Sequence, residues 1–170
     1  MQIILIIILI IFLTIGIAAV SFAPWVPARK KDLARIFALA DLKPGEIFYD
    51  LGCGSGTTVF YAAKKFKAKA IGLEIGLPLY LYCKVRQLFV HNKNVTIKYK
   101  NLFKEDLSQA DVVYFFGMPE KIKDKLRLKL EKKLKPGAKI ISYVFEIEGW
   151  EPVEVSKPGK NDVGIYLYKI

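Results

Sequence analysis

The sequence predicts an α/β domain: a mostly parallel sheet of seven strands with helices on both faces, finished by a C-terminal antiparallel hairpin and preceded by one N-terminal transmembrane helix. Three observations predict it. An uncharged apolar run covers residues 2–22; β-rich and helix-patterned segments alternate from residue 31 onward; and a glycine-rich loop, Asp50-Leu51-Gly52-Cys53-Gly54-Ser55-Gly56, follows the first strand and precedes a helix. At 170 residues the chain has room for one such domain, since a domain takes about one hundred to two hundred residues.

Residues 2–22 are mostly Ile and Leu, and at ~1.5 Å of rise per residue they are long enough to cross a ~30 Å hydrocarbon core. A cleaved secretory signal fits less well, because no Lys or Arg precedes the apolar run. A soluble core helix is rarely apolar all round over such a length. The expectation is therefore an anchor at residues 1–23. Pro24-Trp25-Val26-Pro27 then fixes φ twice and breaks the helix, giving a linker at 24–30 and a domain at 31–170. Every charged residue lies after position 28, starting with Arg29, Lys30 and Lys31, so the basic-flank rule puts the domain on the cytoplasmic side of a membrane, as a single-pass protein with Met1 outside.

The domain reads in order. Leu33, Ile36, Phe37 and Leu39 mark an amphipathic helix over 31–40, stopped by Pro44-Gly45. Strand 47–49, helix 58–66, strand 70–73 and helix 78–90 follow, then strand 95–99, strand 111–116, a Lys-rich helix 119–134 ended by Pro136-Gly137, and strand 139–145. This alternation implies parallel strands joined by crossover helices. The turn formers Pro158-Gly159-Lys160-Asn161 separate 153–155 from 164–170, which reads as a hairpin. On the Lys-rich helix, Ile122, Leu126, Leu130 and Leu134 recur every fourth residue and are expected to pack on the sheet.

Charge and cysteine usage narrow the chemistry. The net charge of +11 falls wholly after position 28, which suits contact with anionic lipid, leaves nucleic acid as a rival partner, and is also compatible with an ordinary Lys-rich surface. Two cysteines, Cys53 and Cys83, without a CxxC pair, and one histidine, His91, offer almost nothing to a metal or a disulfide framework, so no metal site is expected.

The glycine loop carries the most information. Gly52, Gly54 and Gly56 let the backbone turn sharply and approach a ligand, and the following helix presents free N–H groups. The third glycine comes one residue too early for a dinucleotide fingerprint, and no GK[ST] follows, which excludes a phosphate-binding P-loop. Glu74, ending the second strand, can accept hydrogen bonds from both hydroxyls of a ribose; Asn101 and Leu102, after the third, can meet an adenine edge and cover its face. Together these positions line a crevice outside the carboxyl edge of the sheet, where open α/β folds bind ligands.

These residues resemble the class I methyltransferases, whose Rossmann-like seven-stranded fold binds S-adenosylmethionine and releases S-adenosylhomocysteine. Asp50, Gly52, Cys53, Gly54 and Gly56 look like their first motif, Glu74 like the acidic residue of the next, and Asn101 with Leu102 like the adenine-side position. A closer resemblance runs over nearly the whole chain, to the small membrane-anchored lysine methyltransferases that include the mitochondrial ATP synthase c-subunit and adenine nucleotide translocase enzymes and their prokaryotic relatives. Pro24-Trp25-Val26-Pro27, Phe116-Gly117-Met118-Pro119, the Lys/Glu-rich helix before Pro136-Gly137 and Gly149-Trp150-Glu151-Pro152 are similar to that family's landmarks. Ser55, Thr57 and Asn101 depart from its frequent Asp, Arg and Asp, so cofactor affinity or orientation is expected to differ.

The resemblance implies transfer of a methyl group to a lysine of a membrane or membrane-associated protein. Displacement at a sulfonium requires no protonation of the leaving group, so the site must hold a neutral amine at near-attack distance, and an apolar slot favours that form. Phe116, Gly117 and Met118 are the candidates for shaping the slot, with Trp25 or Trp150 as a lid. Two alternatives remain open: a lipid or other small membrane molecule as acceptor, marked by a wide apolar entrance, and a non-catalytic cofactor-binding interaction module, marked by a basic helix facing outward. A nucleic-acid base is disfavoured because no Asn/Asp-Pro-Pro-aromatic motif follows the fourth strand.

Overall fold

The computed structural model describes residues 26–170 continuously and, before them, Gln2, Ile4, Leu5, Ile6, Leu9, Phe12 and Gly16, all helical. Most of the expected anchor and the Pro24-Trp25 part of the linker lie outside the described residues. Among the described residues no helix is long and apolar enough to cross a membrane.

The sheet follows from sequence periodicity switching between two and 3.6. The strands are β1 (Ile47–Leu51), β2 (Lys69–Glu74), β3 (Val95–Tyr99), β4 (Val112–Phe115), β5 (Lys139–Tyr143), β6 (Glu154–Ser156) and β7 (Ile165–Lys169). They form a seven-stranded sheet in the order β3-β2-β1-β4-β5-β7-β6. β1 to β5 pair in parallel, while β7 runs antiparallel to both β5 and β6. The hairpin expected at the C-terminus is therefore present, with its second strand inserted against β5. The order reverses at β1, between β2 and β4, so Asp50 sits beside Gly72 on one side and Tyr114 on the other. That is the switch point where a crevice opens at the carboxyl edge.

Helices cover both faces, and each strand divides its side chains between them with period two. Phe48 of β1 points into one core, with Leu33, Ile36 and Phe37 of α1 (Lys30–Ala40). Its neighbours Tyr49 and Leu51 point into the other. Phe37 is the centre of the first core, with ring centroids 5.4 Å from Phe48, 5.3 Å from Tyr61 and 5.1 Å from Phe66. The same face receives α2 (Thr57–Tyr61), which continues as a π-helical turn over Ala62–Phe66, and α3 (Leu77–Val90). The opposite face receives a helical rod made of α4 (Pro119–Lys121), a π-helical turn at Ile122–Leu126 and α5 (Arg127–Lys133). Ile122, Leu126, Leu130 and Leu134 are buried beneath it, as their fourfold spacing predicts. This packing answers the interaction-module alternative for these residues: the apolar stripe is committed to the sheet, and the face turned outward is mainly charged, with lysines beside Asp124 and Glu131.

Candidate active site

The site grows from the way β1 ends. Gly52, Gly54 and Gly56 all have positive φ, at 99°, 53° and 75°, a region where a Cβ clashes with its own backbone. The loop they form is fastened to the tip of β2. Gly52 and Cys53 donate their N–H groups to Leu73 O at 3.0 and 2.9 Å, and Gly54 N–H donates to Glu74 Oε2 at 2.8 Å. Gly72, next to Cys53, makes this approach possible: a Cβ there would lie 2.7 Å from Cys53 Sγ.

Glu74 is buried, and it does more than end a strand. Its Oε1 accepts from Ile75 N–H at 2.9 Å and Gly76 N–H at 2.6 Å, while Oε2 accepts from Gly54 N–H. A carboxylate oxygen has two acceptor positions, so Oε2 retains one and Oε1 none. Glu74 can take one ribose hydroxyl without losing a bond. A second is accepted only by exchange for one of the backbone N–H groups, which refines the expectation that both oxygens wait for a ligand.

Asp50 lies beneath the loop and accepts a hydrogen bond from the Thr58 hydroxyl. Burial pushes its carboxyl up to about 7, with the Glu74 charge adding to the rise and the Thr58 bond opposing it. Its side chain therefore supports the loop from below. Two departures in the loop satisfy each other, Ser55 Oγ lying 3.1 Å from Thr57 Oγ1.

Three loop supports are not evident from the sequence. The Cys83 thiol donates to Gly54 O at 3.1 Å, Arg86 Nη1 donates to Ser55 O at 3.0 Å while its guanidinium lies 4.2 Å from the Phe60 ring centroid, and Thr58 holds Asp50. Cys83 and Arg86 are three apart on α3 and so share a face. The signal available was a small thiol in a helix otherwise rich in Leu and aromatic residues. Cys53 meets Cys83 inside, and that contact together with burial pushes the Cys53 thiol well up, leaving it a small apolar filler.

The other expected positions fall at the same edge of the sheet. Asn101 caps the short 3-10 helix Leu102–Lys104, its Oδ1 accepting from Phe103 N–H at 2.9 Å. That oxygen keeps one acceptor position, and the amide NH2 adds donors, so Asn101 can offer a ligand both. The Leu102 side chain is buried in the second core, which leaves its backbone and not its side chain for an adenine. Phe116, Gly117 and Met118 follow β4, and Met118 is the N-cap of α4. Phe116 faces Tyr143 and Phe145, with centroids at 6.4 and 6.0 Å, so an aromatic wall does stand at the end of β4 and β5. Tyr143 donates to the buried Asp32 at 2.8 Å, and burial followed by that bond pushes its phenol up to about 12, so it stays a neutral donor. Beyond it Val144 has φ 80°, a strained conformation for a β-branched residue, held by Val144 N–H donating to Gly164 O at 2.9 Å. Trp150 is not placed as a lid. It packs on Tyr168 with centroids 5.8 Å apart and donates to Glu131 at 3.1 Å. Trp25 lies outside the described residues.

The comparisons with known proteins decide the family. A family model described as the ANTKMT methyltransferase domain matches residues 50–154. The chain belongs to that family. A protein-lysine N-methyltransferase of Saccharolobus islandicus (strain REY15A) is 38% identical over 160 residues, covering 89% of this chain and 96% of that protein. The mouse ATP synthase c-subunit lysine N-methyltransferase is 30% identical over 145 residues, covering 84% of this chain but 57% of that protein. Among solved structures, an RNA methyltransferase of Salinibacter ruber in complex with S-adenosyl-L-homocysteine is 30% identical with a TM-score of 0.80, covering 85% of this chain and 94% of that one. As a member of the ANTKMT methyltransferase domain family, the chain is an S-adenosylmethionine-dependent methyltransferase. The residues present fit that cofactor: a side chain built on Gly52 would meet nothing within 4 Å, so the space above the loop is open, and Glu74 keeps an acceptor facing the same turn. Among the described residues no group of three or more His, Cys, Asp or Glu side chains could hold a metal ion.

Proposed function

We propose that this chain methylates a lysine side chain of a membrane or membrane-associated protein. The observation that carries the lysine acceptor is the 38% identity to a protein-lysine N-methyltransferase over 89% of the chain. Residues 1–23 act as a single-pass anchor, 24–30 as linker, and the domain 31–170 faces the cytoplasm. The uncharged run 2–22 and the basic residues that begin at Arg29 support this arrangement.

The cofactor supplies a methyl group on a positively charged sulfur, ready for displacement by a neutral amine. The chain's own residues do the rest. Glu74, through the acceptor position that Oε2 retains, and the open backbone at Gly52 orient the adenosine half, and Asn101 with the Leu102 backbone borders the adenine. Phe116, Gly117 and Met118 border the acceptor, where the aromatic wall of Phe116, Tyr143 and Phe145 lowers the local polarity and so favours the uncharged amine of a lysine whose ordinary pKa is ~10.4.

The likeness to an RNA methyltransferase, with the +11 charge, favours a second reading in which RNA is the acceptor. One experiment separates the two. The full chain, reconstituted in lipid vesicles, is given methyl-tritiated S-adenosylmethionine with membrane proteins or with total RNA, and the products are hydrolysed. Label in methyl-lysine, lost in Glu74→Ala, supports the proposal. Label in methylated nucleosides alone overturns it.

A further inference from the structure

We propose that the outward face of α3 is a docking surface for an anionic lipid bilayer. This helix of 14 residues buries only Cys83. Leu81, Val85, Leu88 and Phe89 are 52%, 53%, 70% and 79% exposed. They recur at i, i+4, i+7 and i+8 and form one stripe on the side of the helix away from Cys83. Soluble surfaces rarely leave so continuous an apolar stripe bare without a partner.

Charge selects the partner. From Ile75 to Asn101 the chain has no Asp or Glu, and of its five basic residues Lys98 and Lys100 pair with Glu105 and Arg86 turns to the glycine loop, which leaves Lys84 and Lys93 beside the stripe. Lys84 is on α3 itself, exposed at the edge of the stripe, and Lys93 lies exposed just beyond the end of the helix. An apolar helical stripe with a basic rim is the pattern that lies in a headgroup layer, the side chains reaching the acyl boundary and the cations the phosphates. A second copy of the chain suits the face poorly. A two-fold contact through this stripe would press each basic rim against its own copy, on molecules of +11 net charge.

The inner face of the same helix gives the docking a consequence. Through Cys83 and Arg86, α3 is bonded to Gly54 O and Ser55 O of the glycine loop. A bilayer touching the outer face would hold the carboxyl edge of the sheet at the membrane surface.

The test uses the full chain in vesicles. Cys53 and Cys83 are buried, so a fluorescent thiol label can be directed to Leu88→Cys, or to Lys132→Cys on α5, on the opposite face of the sheet. In vesicles of phosphatidylcholine with phosphatidylglycerol, nitroxide-bearing lipid should quench the label at 88 several-fold more than the label at 132, and high salt should reduce the difference. Equal quenching at the two sites overturns the proposal. So does a label at 88 that is shielded from aqueous iodide yet untouched by nitroxide lipid, which would mean the chain itself or a second copy covers the stripe. The double variant Lys84→Glu with Lys93→Glu should cut quenching at 88 several-fold; undiminished quenching overturns the role of charge. None of these outcomes depends on methyl transfer, so the docking and the lysine reading fail separately.

Discussion

Helices α1 and α3 pack on the same face of the same sheet and use their apolar residues in opposite ways. In α1, 11 residues bury six, among them Leu33, Ile36, Phe37 and Ala40 at core spacing. In α3, 14 residues bury one, although the segment is richer in Leu, Tyr, Val and Phe. Composition alone would rank α3 as the more buried helix. What separates them is position. α1 packs over β5, β7 and β6 and reaches β1 through Phe37 on Phe48, whereas α3 lies over the other edge, on β3 and β2, and touches the glycine loop through Cys83 and Arg86. Apolar content thus measures how much surface a helix must cover, and not whether this chain is what covers it.

Five measurements probe this contrast. The largest effect is expected in α1: Phe37→Ala removes a ring that is 1% exposed and packed among Phe48, Tyr61 and Phe66, and should cost about 3–5 kcal/mol in urea unfolding. A loss below about 1 kcal/mol would show that the α1 core is not tightly packed.

The loop between the helices should give the next largest effect, as a dependence on pH. Asp50 has an ordinary value of 3.8 raised to about 7 in the folded chain, so the native state holds a proton that the unfolded state releases first. Its contribution to stability is present below about 4 and is lost as pH rises to about 7, by an amount on the order of a few kcal/mol. Asp50→Asn should flatten that part of the stability curve, measured by urea unfolding between those limits.

Glu74→Ala removes the acceptor that ties Gly54, Ile75 and Gly76 together at the start of α3. S-adenosylmethionine binding should weaken by ~1–3 kcal/mol, about five- to 150-fold in Kd by calorimetry. Gly56→Ala places a Cβ 2.9 Å from Phe60 and 3.1 Å from Cys83 at φ 75°, directly between the loop and α3, and should cost about 1–3 kcal/mol in unfolding. The smallest effect belongs to the outer face of α3. Phe89→Ala, at a side chain 79% exposed, should change stability by no more than about 0.5 kcal/mol. A large loss there would mean that the chain covers the outer face of α3 after all.

Local periodicity and local chemistry account for what the chain reveals before it folds. The strand–helix alternation, the stripe Ile122, Leu126, Leu130 and Leu134, the C-terminal hairpin and the glycine loop with Glu74 are legible because period, turn residues and backbone freedom are properties of neighbouring residues. Element ends differ by at most two positions, as β1 extends to Leu51 and β5 stops at Tyr143. Long-range packing settles the rest: which strand of the hairpin meets β5, which side chains hold the loop, and which apolar helix stays bare. In sequence Glu74 is a strand-end carboxylate waiting for a ligand, but folding brings three backbone N–H groups to it. In sequence Cys83 and Thr58 are ordinary helix residues, but folding sets them against Gly54 and Asp50. Each of these depends on the distance between groups far apart in the chain or turned together by a loop, and that distance is a property of the packed sheet, not of any window of sequence.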